Sequence, residues 1–425
     1  MRILKLGSTG PSVQLLQLAL SRAGTAALAL DGIFGAKTRD ALMHFQSYNG
    51  LSADGIVGAQ TTRALMPYYT GYAVHRVHRG DTLFSIAKMH DAELGAMITA
   101  NPGISAENLR IGSSVVVPLP FDIVPTDIAF TSTLVSYCVR GIAARYPFVK
   151  SGRIGASVMG SPLWFLAAGS GHDRVFYNAS HHANEWITTP VLLRFFELLA
   201  RAAAQNGKIF GHDAQEILAA ASVYIAPCVN PDGVDLVTGE LTSGESYLSA
   251  VEIARGYPAI PFPSGWKANI RGTDLNLQYP AGWEQARENK FAQGFVSPAP
   301  ADYVGPAPLS APESRAMYDF TLSLSPRLIL AYHTQGEVIY WRYLDYEPAG
   351  SRAIADTFAA VSGYSVEQTP YASGFAGYKD WFIQDFNRPG YTIEAGKGKN
   401  PLPISDFDGI FSDNLGILTL APLLA

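Results

Sequence analysis

The sequence predicts a multidomain protein: a small helical bundle, a small β-α-α-β domain and a large α/β domain with a mixed sheet. Three observations predict this. A repeat of helical character occupies the first 70 residues, two strand-like runs flank two helical stretches between 71 and 120, and four short apolar β-like runs alternate with helical patterns thereafter. The chain has 425 residues, room for about two to four domains. Its hydrophobic fraction of 48%, with 21 Tyr, 21 Phe and 6 Trp, excludes an intrinsically disordered chain. A net charge of −5 implies no general nucleic-acid or anionic-membrane partner. No apolar run approaches the ~18 residues of a membrane span. Two cysteines, Cys138 and Cys228, exclude a disulfide scaffold and a Cys-rich metal site; two separate buried thiols are expected, with one bond between them as the alternative.

The first module, 1–70, is basic while the last is acidic. Residues 31–42 (DGIFGAKTRDAL) and 54–65 (DGIVGAQTTRAL) are identical at eight of twelve positions, offset by 23 residues. Each copy is an Asp-Gly turn, a Gly, and a Thr placed to cap a helix. Val13, Leu15, Leu16, Leu18 and Leu20 predict a preceding amphipathic helix. The segment LKLGSTGPSVQLLQLAL followed by DGIFGAKTRDALMHFQ resembles the peptidoglycan-binding family 1 domain.

The second module, 71–120, opens with YAVHRVHRGDTLFSIAKMH, continues through ITANPGIS and closes with LRIGSSVVVPLP. A strand leads to Gly80-Asp81-Thr82, then a helix; Asn101-Pro102-Gly103 breaks the chain, and 115–117 supplies a second strand. This pattern resembles a LysM domain. The resemblance implies binding of N-acetylglucosamine-containing glycans by loops that hold Asp81, Thr82 and Asn101. Asp81 and Thr82 serve equally well as helix caps.

The third module, 121–425, contains the runs 174–178 (RVFYN), 222–226 (SVYIA), 328–332 (LILAY) and 391–393 (YTI), with a clear helix over 190–204. Ligands gather at the carboxyl ends of strands in such sheets. There the sequence places Ser180-His181-His182-Ala183-Asn184-Glu185-Trp186, then Asn230-Pro231-Asp232-Gly233, then His333, then Glu394. His182 and Glu185 stand one helical turn apart and can reach one ion; with His333 they make a two-His, one-carboxylate set that leaves a zinc position open. The pattern is not HExxH, which excludes the thermolysin arrangement.

HHANEW, NPDG, GTDLNLQYP, the strand-end His333 and GYTIEAGKG together resemble the zinc carboxypeptidase family, peptidase family M14. The resemblance implies one Zn²⁺ per chain on His182, Glu185 and His333, with His181 structural or behind the ligands. It implies Glu394 as general base, although an ion pair with Lys397 or Lys399 is the alternative. It implies Asp274 as the carboxylate that orients the first zinc His, and Asn276 as a substrate binder. The family's polarising Arg is matched by Lys267, with Arg271 as the alternative. Tyr371 matches a mobile loop Tyr, or else a loop anchor. Lys379 matches the pocket floor, where a cation suits a side chain ending in a carboxylate, or else it is an ordinary surface Lys. Leu277 and Asn184 stand where carboxypeptidases carry arginines, which argues against an exopeptidase reading ordinary C-termini.

The module order resembles that of γ-D-glutamyl-meso-diaminopimelate peptidases. It implies hydrolysis of the γ-D-Glu–meso-diaminopimelate amide of peptidoglycan stem peptides, with peptidoglycan as partner. A broad metallocarboxypeptidase and a non-catalytic wall-binding protein are the alternatives. Residues 1–10 (MRILKLGSTG) show no apolar core of a secretory leader. The expected location is therefore the cell wall, or a spore or mother-cell compartment.

Overall fold

The computed structural model describes residues 3–105 and 107–425. They form two compact units, one of residues up to 129 with 136–150, the other of 130–135 with 151–425.

In the first unit, helices Pro11–Arg22, Ala36–Tyr48 and Ala59–Thr70 form the predicted bundle. The repeat is a repeat of hydrogen bonds. Gln17 Nε2 donates to Asp31 Oδ1 (2.7 Å) and Thr38 Oγ1 (3.2 Å), and its Oε1 accepts from the Gly32 N–H. Gln46 does the same with Asp54, Thr61 and Gly55. This corrects the capping role expected of the two threonines. Gly35 and Gly58 hold the N-cap positions, and Thr38 and Thr61 sit in the first turn, where their hydroxyls meet a buried glutamine.

The same unit holds strands β1 (Tyr72–Arg76) and β2 (Ser114–Pro118), paired antiparallel, with helices Leu83–Met89 and Leu94–Ala100 between them. Val77, Leu83, Ile86, Met97, Val115 and Val117 form their common core. The Arg145 guanidinium donates to the carbonyls of Gly71, Leu119 and Phe121, binding the chain that enters and leaves this β-α-α-β fold.

The second unit is built on an eight-stranded mixed sheet. Its strands are β3 (Lys150–Ala156), β4 (Pro162–Ala168), β5 (Asp173–Ala179), β8 (Ala221–Ala226), β9 (Leu328–His333), β10 (Val338–Tyr340), β11 (Ser365–Glu367) and β12 (Gly390–Glu394). A small hairpin, β6 (Lys208–Ile209) and β7 (His212–Asp213), lies outside it. The order is β11-β10-β12-β9-β5-β8-β4-β3. The four strands read from sequence are its parallel centre, β12-β9-β5-β8. Strand alternation sends Phe176 to a core with Met317, Tyr378 and Trp381, and Tyr177 to the opposite face, where its hydroxyl donates to the Leu418 carbonyl of helix Phe407–Leu424 (3.0 Å). From β5 the chain moves through helix Thr188–Ala204 to neighbour β8, then returns across β5 to build β9. The switch point between β5 and β9 opens a crevice at their carboxyl ends.

Both cysteines are buried, and among the described residues neither forms a disulfide. Among the described residues no helix is long and apolar enough to cross a membrane.

Candidate metal centre and active site

β5 ends in a tight turn. Ser180 takes φ +54°, and its hydroxyl lies 3.1 Å from Thr188 Oγ1 and 2.8 Å from Thr189 Oγ1. The strained turn delivers His182 and then the short turn Ala183–Glu185 into the crevice. β9 ends at His333, and Glu394 is its register partner on β12.

These groups converge. His182 Nδ1 lies 2.9 Å from Glu185 Oε1, and His333 Nδ1 lies 2.9 Å from Glu185 Oε2 and 3.1 Å from His182 Nδ1. All three residues are buried. His182 Nε2 lies 3.2 Å from Asp274 Oδ1. An ionised carboxylate only accepts, so Nε2 carries the ring proton and neutral His182 turns a lone pair towards Glu185 and His333. Lone pairs this close repel unless a proton or a cation stands among them. A proton is held tightly here. Burial disfavours a charged His182, but Glu185 and Asp274 outweigh it and raise its pKa to about 9. Burial also opposes ionisation of Glu185, yet His182 and His333 hold that carboxyl well below the usual range. His333 Nε2 is buried without a hydrogen-bond partner. Two imidazole nitrogens and a carboxylate, crowded and fixed from behind by Asp274, fit a divalent zinc ion with one position open.

A cavity of about 240 Å³ lies over this set, lined by His182, His333, Glu394, Lys267, Asp274 and Asn276. Glu394 is partly buried. Burial, reinforced by the Glu185 charge, pushes its carboxyl up to about 8, against the pull of Lys267 and His182. A cation at the triad would draw it down again. Lys397 pairs with Glu337, so it does not neutralise Glu394. Lys267 Nζ stands 3.9 Å from Glu185 Oε1, with a third of its side chain exposed to the cavity. Burial disfavours its charge, but Glu185, Asp274, Asp302 and Glu394 outweigh this and raise its pKa. Asn276 accepts from the Tyr378 N–H (3.0 Å). His181 is buried, with Nε2 3.0 Å from the Tyr279 hydroxyl, behind the triad.

Several expected residues stand elsewhere or are already committed. Arg271 is exposed in the turn 269–273 and does not line the cavity, whereas Lys267 does. Tyr371 is 67% exposed and borders a neighbouring depression, packed edge-on to Phe375. Lys379 is not a free cation. It is 3% exposed, and its ammonium donates to Asp380 Oδ1 (2.5 Å) and the Arg342 carbonyl (2.7 Å). In the first unit, Asn101 is buried and gives its amide to the carbonyls of Met97 and Val116 while accepting from the Val116 N–H. Its amide nitrogen and oxygen are both engaged within the module. Thr82 forms a capping box with Ser85, and Asp81 accepts from the His78 N–H. Both are turn and cap residues.

Sequence reasoning missed Asp380, Lys290 and Asp302. Lys290 and Asp302 form a 2.5 Å ion pair on the cavity wall. The acidic neighbour of Lys379 was visible; the Lys290–Asp302 pair carries no spacing signal.

Comparison with known proteins agrees with this geometry. The zinc carboxypeptidase family model matches residues 136–415, a peptidoglycan binding domain 9–65, and a LysM domain 75–118. Gamma-D-glutamyl-L-diamino acid endopeptidase 1 of Lysinibacillus sphaericus is 44% identical over 279 residues, 66% of this chain and 68% of that protein. The uncharacterized protein YqgT of Bacillus subtilis is 41% identical over 284 residues, 66% of this chain and 73% of that protein. Among solved structures, bovine thrombin-activatable fibrinolysis inhibitor, in complex with tick carboxypeptidase inhibitor, shares the fold. Its TM-score is 0.55 at 19% identity, over 70% of this chain and 98% of that one. The two N-terminal matches indicate peptidoglycan binding and association with the cell wall. With the family model spanning well over half its length, the chain belongs to the zinc carboxypeptidase family of metallopeptidases.

Proposed function

We propose that the chain is a peptidoglycan hydrolase that cuts the amide between γ-D-Glu and the L-centre of meso-diaminopimelate. In this reading 121–425 is the catalytic domain, and 1–70 and 71–120 hold it on the wall, raising its concentration near the bond. The name of the 44% identical relative supports the substrate class.

The cavity carries the substrate argument. Each of its three lysines faces a carboxylate: Lys267 faces Glu185, Lys290 faces Asp302 and Lys379 faces Asp380. Leu277 adds apolar wall, and Asn184 is buried. Nothing among these offers the lone cation that a free C-terminal carboxylate needs. Paired charges suit a zwitterionic terminus, with its ammonium and carboxylate together, as on the distal centre of diaminopimelate.

His182, Glu185 and His333 would hold one zinc ion. When bound, zinc supplies Lewis-acid polarisation of the scissile carbonyl and makes a water molecule more acidic. Glu394 takes the proton from the attacking water and returns it to the leaving amine. Lys267 places a fixed positive charge beside the developing oxyanion; as a lysine it offers a point charge rather than a bidentate fork. Asp274 keeps the proton on His182 Nε2, and Asn276 contacts substrate. The net reaction adds water across one amide, giving a carboxylate and an amine.

Mass spectrometry of muropeptides after digestion, with and without chelator, tests this reading. Cleavage between γ-D-Glu and diaminopimelate, lost with chelator, is expected. Faster turnover of hippuryl-type peptides would instead establish a broad carboxypeptidase.

A further inference from the structure

We infer that the LysM module carries a second divalent metal site, formed by His75, His78 and Asp81, for an imidazole-preferring ion of the Zn²⁺ or Ni²⁺ class. His75 lies near the end of β1, and His78 and Asp81 follow in the turn that leads to helix Leu83–Met89. Asp81 Oδ2 stands 2.9 Å from His75 Nε2 and 3.7 Å from His78 Nδ1. One ligand atom from each residue lies within 4.8 Å of the others, a spacing that one ion can bridge. The donors are two imidazoles and one carboxylate, a set suited to zinc and nickel rather than to magnesium or calcium.

His90 fixes the first ring from behind. Its Nε2 lies 3.4 Å from His75 Nδ1. Without an ion, the His75 Nε2–H donates to Asp81 Oδ2 (2.9 Å), which also accepts from the His78 N–H (2.7 Å); an ion would take the place of that ring proton, which moves to Nδ1, where His90 Nε2 accepts it. Imidazole ligands commonly have such a partner on the other nitrogen. The loop is anchored beneath by Val77, which is buried in the module core. His78 is 73% exposed, so solvent completes the coordination. The bound ion ties the end of β1 to the turn entering the helix and so stabilises the module's fold. Its openness separates it from the buried triad, which should bind far more tightly.

Calorimetric titration of the full chain, stripped with chelator, tests this with Zn²⁺ and Ni²⁺, and with Mg²⁺ as control. The expected result is two equivalents of Zn²⁺, the second at least tenfold weaker than the first, and no Mg²⁺ uptake at the second. Ni²⁺ should also fill the second site. His78→Ala, at an exposed position, should remove only the weaker equivalent and leave peptidase activity unchanged. His90→Ala should weaken that equivalent severalfold without abolishing it. A single equivalent in the unaltered chain, or a second that survives His78→Ala, overturns the proposal.

Discussion

The carboxyl ends of β5, β9 and β12 and the turns of the LysM module look alike in sequence: polar residues beside breaks in apolar runs. Their side chains behave differently. In the module, Thr82 pairs with Ser85 three residues on, and Asn101 pairs with Met97 and with Val116 of the adjoining strand, donor to acceptor, so the small fold consumes their polar groups. At the strand ends, His182, Glu185 and His333 come from segments up to 151 residues apart and point acceptor atoms at one another. The first arrangement is satisfied without help. The second is satisfied only by a proton or a cation. Convergence from distant strands, rather than polarity next to a turn, marks the reactive site.

Substitutions sharpen that contrast, beginning with the largest effect. His333→Ala should remove the bound zinc and reduce peptidase activity to background, measured by metal analysis and by hydrolysis of a stem peptide. Glu394→Gln should lower kcat by about 10²–10⁴-fold while zinc content stays the same. Loss of zinc with the activity would make Glu394 a ligand instead. Lys267→Ala should cost about 10²–10³ in kcat, with partial recovery in Lys267→Arg. Asn101→Ala should act on the other side of the comparison. It should destabilise the module by about 1–3 kcal/mol, read as a lower denaturation midpoint, and leave kcat on a soluble peptide untouched.

The smallest effect concerns a partly buried carboxyl that belongs to neither site. Asp235 accepts from the Ser132 N–H (2.8 Å) and hydroxyl (2.5 Å), and burial raises its pKa to about 7 despite them. The folded state keeps a proton that the unfolded chain releases near pH 4. Stability from this group therefore falls as pH rises from about 4 to about 7 and levels off above. Asp235→Asn should flatten that slope. An unchanged slope would mean that the carboxyl is already ionised in the folded chain.

The site's skeleton was legible because the central strands are continuous apolar runs and their last residues are chemically distinct. His-x-x-Glu spacing gave a pair, and His333 and Glu394 followed from the ends of apolar strands. The outer strands β3, β4, β10 and β11 were not legible. β10 and β11 are three residues long, and the Gly-containing β3 lacks a clean alternation. Pairing was the other blind spot. Lys379 reads as a cation until Asp380 and the Arg342 carbonyl are seen around it, and Lys290 meets Asp302 through loop geometry that leaves no periodic trace. Tyr371 and Arg271 rested on the family resemblance alone, and neither lines the cavity.

Anomalous X-ray scattering at the zinc edge, from crystals of the full chain, addresses the metal centre directly. A peak enclosed by His182 Nδ1, the Glu185 carboxylate and His333 Nδ1 is the predicted result. Density showing those three groups joined only by hydrogen bonds, in protein that cleaves stem peptides at full rate, would contradict it.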